Sequence, residues 1–175
     1  MEKQSEESDI VIAPMTIRHL PDVFDLGHKA FDTEVKPYTS WSLSAAAVHI
    51  DAARPACFVA LRGSELCGFV LGSMTFEQRA DWGYLEWIAV DSAVRGRGVA
   101  GRLVAVCRDH LMAQGADAVI TDVEARNEAS LALMRRHGFT VGATVNLLAY
   151  AREAAAERPP PPGAGSNSDA PHSEQ

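Results

Sequence analysis

Eight consecutive residues, Arg95-Gly96-Arg97-Gly98-Val99-Ala100-Gly101-Arg102, carry the most recognisable chemistry in this chain. Glycines let backbone N–H groups approach a ligand closely, and Val99, Leu103, Val106, Cys107 and Leu111 then recur at helical spacing. A helix N-terminus offers unpaired N–H groups and a partial positive charge, so the segment suits a phosphate or pyrophosphate. Its three arginines gather positive charge in a chain of net charge -7, with 16 Lys and Arg against 23 Asp and Glu. A plain Gly-rich turn with solvated arginines is the alternative, but packing alone does not ask for three glycines and three arginines at one helix start.

Gly96-x-Gly98-x-x-Gly101 also matches the dinucleotide fingerprint, with Asp122 about 20 residues on. In such a unit the strand turns almost directly into the first glycine. Here Asp91 to Arg95 intervene, and too little chain follows for a second nucleotide-binding half, so an NAD(P)-binding oxidoreductase is the weaker reading. No GK[ST] follows, which removes a Walker loop.

The other candidate chemistry is carried by carboxylates. Tyr84, Glu86 and Ile88 alternate along a β-rich run and are expected on one strand face, opposite Leu85 and Trp87. Glu86 would then lie between apolar neighbours, where desolvation raises a carboxyl pKa; a Glu86 pointing to solvent on a one-sided sheet is the alternative. Asp122 and Glu124 alternate with Val123 on the next expected strand and reach toward Asn127, a helix N-cap candidate.

The apolar period, which switches between two and about 3.6, supplies the elements that must position these groups. Ile10 to Arg18 reads as a strand weakened by Pro14, and Leu20 to Phe31 as a helix entered through Pro21. A second, Ala-rich helix covers Ser42 to Ala53. Cys57 to Leu61, Leu66 to Phe76 and Tyr84 to Val90 form a three-stranded antiparallel meander. Then follow a helix from Gly98 to Gln114 ended by Gly115, a strand from Ala118 to Val123 buried on both faces, a helix from Glu128 to His137 ended by Gly138, and a last strand from Phe139 to Tyr150. The order implies an α/β or α+β domain with a mixed sheet.

Trp87 to Asp91, Arg95-x-x-Gly98-x-Ala100, Asn127 and His137-Gly138-Phe139 together resemble the GNAT superfamily of N-acetyltransferases. The likeness covers about Trp82 to Phe139 through motifs and Ile10 to Phe76 through element order only. It implies a GNAT-like single domain with a central, mostly antiparallel mixed sheet flanked by helices, and acetyl-CoA as co-substrate. Backbone amides from Gly96 through Arg97, Gly98, Val99 and Ala100 to Gly101 would hold the CoA pyrophosphate, with Arg95, Arg97 and Arg102 screening its charge. Main-chain groups of Ile88, Ala89 and Val90 would pair with the pantetheine arm like an added strand. Asn127 would contact the cofactor near the thioester, besides capping its helix.

Acetyl transfer to an amine needs the amine neutral, and a lysine-like amine (pKa ~10.4) must lose a proton first. The resemblance makes Glu86 the preferred base, with Asp122 and Glu124 as secondary candidates. Many members carry a Tyr general acid four residues ahead of the Gly of Gly-Phe; that position is Met134 here. A thiolate leaves readily near neutral pH, so the acid can be dispensed with, or Tyr84 or Tyr150 can stand in. Cys107 falls on an apolar helix stripe, which favours direct transfer without an acyl-enzyme. Phe31, Asp32, Glu34, Tyr38 and Trp41 are expected to line a site for a cationic amine of a small molecule or of a peptide or protein. A non-catalytic acyl-CoA-binding regulatory module is the alternative that Met134 keeps open.

Composition sets outer limits. The acidic balance disfavours a nucleic-acid partner, and no apolar run approaches the roughly 18 residues of a membrane span. Met1 to Asp9 is unlike a signal peptide, and Cys57, Cys67 and Cys107 lack disulfide or metal spacing, so a cytoplasmic protein without a metal is expected. No internal repeat is visible. Residues 1–9 and the Pro-rich 153–175 are expected to be disordered tails around a domain at 10–152, and homodimerisation is an expectation of the resemblance alone.

Overall fold

The runs between Phe58 and Val90, rich in β-branched and aromatic residues with short polar breaks, pair as antiparallel neighbours. The computed structural model describes residues 10–31, 40–74 and 76–146. Its strands are β1 (Ile10–Pro14), β2 (Phe58–Arg62), β3 (Glu65–Ser73), β4 (Trp82–Val90) and β5 (Ala118–Ile120), in that order across one sheet. All neighbours are antiparallel except β4 and β5, which run parallel. This mixed sheet is not the parallel, doubly wound unit that a dinucleotide fingerprint requires. Pro14 is tolerated because β1 is an edge strand.

Four helices accompany the sheet among the described residues: α1 (Leu20–Ala30), α2 (Leu43–Ile50), α3 (Val99–Ala113) and α4 (Glu128–Arg136). Pro21 occupies the first turn of α1, where its missing N–H costs nothing. Ser42 Oγ accepts from Ala45 N–H (3.1 Å) to start α2. Two apolar clusters form the core. Val23, Trp41, Ala46, Phe69 and Leu71 fill the side of α1 and α2, while Val70, Leu85, Leu103, Cys107 and Leu111 fill the side of α3.

One irregularity decides the site. Leu71 pairs with Trp87 but Gly72 pairs with Leu85, so Glu86 is an extra residue with no partner across the ladder. A one-residue insertion sends every later side chain to the other face. Leu85 accordingly packs in the α3 cluster, Trp87 in the α1/α2 cluster, and Ile88 against the α3 cluster. The expectation that Tyr84, Glu86 and Ile88 share a face opposite Leu85 and Trp87 therefore fails beyond Glu86.

Two further expectations are corrected. The strand read as Ala118 to Val123 ends at Ile120 and is half-buried, not buried on both faces, because among the described residues β4 is its one partner and pairs with it through Trp82, Gly83 and Tyr84. Asp122 and Glu124 thus lie in a loop. The last predicted strand is absent over residues 139–146, where Val141 and Val145 are exposed; residues 147–150 lie outside those described. β-rich composition cannot make a strand where no neighbour takes up its N–H and C=O groups. Contacts divide the chain into units at residues 1–140 and 141–175; all the helices and strands above lie in the first, and residues 141–146 of the second carry none. The predicted tails fall on residues 1–9 and 153–175, outside those described.

The bulge depends on Gly72. A Cβ there would stand 2.7 Å from the Tyr84 carbonyl oxygen and 3.0 Å from Cys107 Sγ. Gly72→Ala should destabilise the protein by about 1–3 kcal/mol, as overpacking does, seen as a lower urea midpoint. An unchanged midpoint would mean that the bulge absorbs a methyl group.

Candidate active site

The glycine loop is built by backbone conformation. Asp91 Oδ1 accepts from Ala93 N–H (2.8 Å) and sets a short 3-10 turn over Ser92–Val94, which accounts for the five residues between β4 and the first glycine. Gly96 (φ +78) and Gly98 (φ +74) are left-handed, a conformation that L side chains resist. Nothing lies within 4 Å of a Cβ at either position, so both glycines are there for the turn. Gly98 is the N-cap of α3 with no side-chain cap, and the first bond inside the helix runs from Arg102 N–H to Gly98 O (3.1 Å). The N–H groups of Val99, Ala100 and Gly101 precede that bond, at the positive end of a fifteen-residue helix.

These amides open onto a cavity of about 550 Å³ that Val90, Arg95, Gly96 and Gly98 to Arg102 line together with Leu133, Arg136 and His137. Arg136 and His137, from the end of α4, were not foreseen. Gly101 explains part of that approach: a Cβ on it would lie 2.7 Å from His137 Nε2, so the missing side chain leaves room for the His137 ring. Three guanidinium groups and an imidazole around unpaired amides can hold a diphosphate. Of the remaining candidates, Arg97 is exposed and does not line the cavity, nor do Ile88, Ala89 or Asn127. Asn127 caps α4, its Oδ1 accepting from Ser130 N–H (3.1 Å). Ile88, Ala89 and Val90 bond to β3 on one edge; on the other, β5 pairs only as far as Tyr84, so Leu85 to Val90 have no strand neighbour there among the described residues.

Glu86 and Tyr84 line a second cavity, also about 550 Å³, closed by His49 and Asp51 at the end of α2, Arg54 and Ser73. The Glu86 side chain is 35% exposed, and His49 Nε2 lies 2.8 Å from its Oε2. The desolvated, apolar setting expected for Glu86 is therefore replaced by a half-open one beside an imidazole, because the bulge turns this residue out of the ladder. The Tyr84 hydroxyl donates a hydrogen bond to Asp122 Oδ1, bringing two of the candidates together. Glu124 is half-buried in the following loop, where its carbonyl accepts from Asn127 N–H (2.8 Å). His49 escaped the sequence reading because a histidine in an Ala-rich amphipathic helix gives no signal of what its buried side will meet.

Several bystanders are also placed. Met134, at the expected acid position, is buried in the α3-side core. Cys107 is buried, its thiol bonded to Ala56 O (3.3 Å) and pushed up by burial, and burial pushes Cys57 up to about 11. All three cysteines are free thiols. Phe31 and Trp41, expected at the acceptor site, pack instead with Phe69 and Trp87, and Trp41 Nε1 donates to Phe24 O (2.8 Å). Burial of large aromatic surface claims them for the core. Asp32, Glu34, Tyr38 and Tyr150 lie outside the described residues. Among the described residues no group of three or more His, Cys, Asp or Glu could hold a metal, and no helix is long and apolar enough to cross a membrane.

Burial, then the hydrogen bond to Asp122 and the charges of Asp122 and Glu86, hold the Tyr84 phenol well above its ordinary pKa. The folded chain keeps this proton while the unfolded chain releases it near pH ~10. Tyr84 therefore contributes in full below that pH, and its contribution is lost as pH rises further. Tyr84→Phe should flatten the fall of the urea midpoint between about pH 9.5 and 11; parallel falls in both proteins would contradict this.

Comparison with known proteins agrees with this architecture. The Acetyltransferase (GNAT) family matches residues 20–139. N-alpha-acetyltransferase MAK3 of Arabidopsis thaliana is 31% identical over 83 residues, 47% of this chain and 44% of that protein. The chain spans less than half the length of the curated relatives it matches. The crystal structure of the ribosomal-protein-S18-alanine N-acetyltransferase from Escherichia coli superposes with a TM-score of 0.65 at 21% identity, covering 77% of this chain and 80% of that one. The aminoglycoside antibiotic 6'-N-acetyltransferase AAC(6')-IG from Acinetobacter haemolyticus does so with a TM-score of 0.65 at 21% identity, over 82% of this chain and 99% of that one. With the glycine turn at the head of α3, the half-paired β4 and a family match that runs from α1 to Phe139, the chain belongs to the GNAT family of acetyltransferases.

Proposed function

We propose that this chain moves an acetyl group from acetyl-CoA directly to a primary amine of a small molecule or of a peptide or protein. The observation that carries the reading is the row of unpaired α3 amides on a basic-rimmed cavity at the end of β4, whose open edge leads back to Glu86. The residues present fit the co-substrate. Amides from Gly96 to Gly101 hold its diphosphate while Arg95, Arg102 and Arg136 balance the charge, and Arg97 acts at longer range from the surface. The open edge from Leu85 to Val90 receives the pantetheine arm as an added strand, through Ile88, Ala89 and Val90. Acetyl-CoA supplies an acetyl group already activated as a thioester. Asn127 lies at the head of α4 with its side-chain oxygen engaged in the cap, and its amide NH₂ is the donor that would face the co-substrate.

Val90 lies four steps along the strand from Glu86, about 13 Å, so the two cavities are spaced like the two ends of one extended arm. The cavity beside α2 is the acceptor site in this reading. Its carboxylates, Asp51 and Glu86, with Asp122 behind Tyr84, outnumber the single Arg54, whose guanidinium is tied to the carbonyls of Ala80 (3.1 Å) and Gln114 (3.4 Å). A cationic amine is drawn in, and Glu86 accepts its proton so that a neutral nitrogen can attack. Asp122 and Glu124 are the secondary carboxylates, ordering water or the amine. The phenol of Tyr84 is committed to Asp122, so thiolate departure relies on the leaving thiol's own acidity, as a core Met134 also suggests. Buried, protonated cysteines support direct transfer, and their unpaired state supports a reducing, cytoplasmic setting.

Thiol release from acetyl-CoA against a mixed amine panel tests the activity; binding without turnover on every amine would favour the non-catalytic acyl-CoA module. Gly98→Glu, which forces a side chain into the left-handed turn and an anion beside the diphosphate, should weaken acetyl-CoA binding in calorimetry by at least about 100-fold. Equal affinity would remove the loop from the site. Glu86→Gln should lower kcat at least about 100-fold near pH 7 with acetyl-CoA affinity unchanged, the deficit narrowing as pH approaches the amine's own pKa. A constant ratio of rates across pH would exclude Glu86 as the proton acceptor.

A further inference from the structure

We propose that His49 is a positioning residue for the proton-accepting carboxylate, clamping Glu86 at the bulge so that one carboxylate oxygen is fixed and the other faces the amine. The inference rests on the reading of Glu86 as the base. His49 is 4% exposed, the buried polar residue of the described core, on a helix whose other buried residue is Ala46. Burying an imidazole there is unfavourable unless it is paired. Nε2 stands 2.8 Å from Glu86 Oε2 and has no hydrogen bond to any other group. The contact is at ion-pair distance and not yet aligned as a hydrogen bond, a common state for catalytic contacts before substrate arrives, and the last torsion of a glutamate is soft enough to align it.

Glu86 needs such a clamp. As the extra residue of the bulge it has no cross-strand partner, and a side chain 35% exposed in an open cavity has little packing of its own to fix its rotamer. The helix that carries His49 is rigidly tied, capped by Ser42 and packed through Ala46. Among the described residues, the other charged or titratable groups lining the cavity with Glu86 are Asp51 and Arg54 beyond the end of α2 and Tyr84, with its partner Asp122, from the sheet. Arg54 is engaged by two carbonyls and Tyr84 by Asp122, so among the described residues of this cavity His49 is the donor left for the carboxylate. With its proton on Nε2, the ring donates to Oε2. In the step, the substrate's N–H bond breaks, an O–H bond forms at Oε1, and His49 is unchanged.

The test uses the full chain in the thiol-release assay with the panel amine of highest turnover. His49→Leu, which keeps the volume and suits the apolar surroundings, should melt as wild type does. Its kcat should fall by about 10- to 100-fold, with KM for acetyl-CoA unchanged and the acid limb of the pH profile displaced. His49→Gln keeps a donor and should recover most of that loss. A second readout needs no acceptor: the His49 ring-nitrogen resonances should shift in Glu86→Gln, and unshifted resonances would overturn the contact. Wild-type kcat and pH profile in His49→Leu, with Glu86→Gln still impaired, would overturn the clamp and leave the base standing. Full activity in Glu86→Gln would remove both. A His49→Leu chain that melts early while His49→Gln melts normally but shows the same kinetic loss would also count against the clamp, since the donor would then be irrelevant.

Discussion

β4 pairs with β5 through Trp82, Gly83 and Tyr84 and with β3 from Tyr84 onward, so among the described residues it parts from β5 at the point where its pairing with β3 begins. A strand buried in a sheet normally has its hydrogen-bonding groups paired on both sides. Parting the two strands converts an internal strand into a half-open one without exposing its apolar faces, because α3 still covers Ile88 and Val90 on one face and the aromatic cluster covers Trp87 and Ala89 on the other. The opening is therefore hydrogen-bonding edge, which suits an extended amide-bearing arm. The cavity at α3 continues that edge.

The bulge at Glu86 works with the parting of the strands. Without it, Glu86 would alternate regularly with its neighbours. With it, Leu85 and Trp87 anchor opposite cores and the residue between them is turned into the cavity beside α2. Gly72 permits the kink, since a side chain there would strike the Tyr84 carbonyl. One glycine and one inserted residue thus turn a carboxylate into the cavity beside α2, where a buried histidine stands next to it.

Charge follows the same division. The chain is acidic overall, yet Arg95, Arg102 and Arg136 converge on the amide-lined cavity, while Asp51, Glu86 and Asp122 gather about the other. An anion at one end and a cation at the other can each find a complementary field in a molecule of small dimensions.

Local features were legible because they are local. Left-handed turns need glycine, helix starts need a cap, and half-buried strands need apolar runs, so the loop at 95–102, the Asn127 cap, the meander and α3 could be read directly from the order of residues. So could the core position of Cys107, from its place on an apolar stripe. What a linear reading could not supply were the relations between distant segments. That β5 stops after Ile120, that an inserted residue inverts the faces of β4, that His49 reaches Glu86, that α4 brings Arg136 and His137 to the head of α3, and that Phe31 and Trp41 join the core all depend on which surfaces meet. Strand pairing and burial are decided by the partner as much as by the residue itself, and partners separated by tens of residues become neighbours only once the chain has folded.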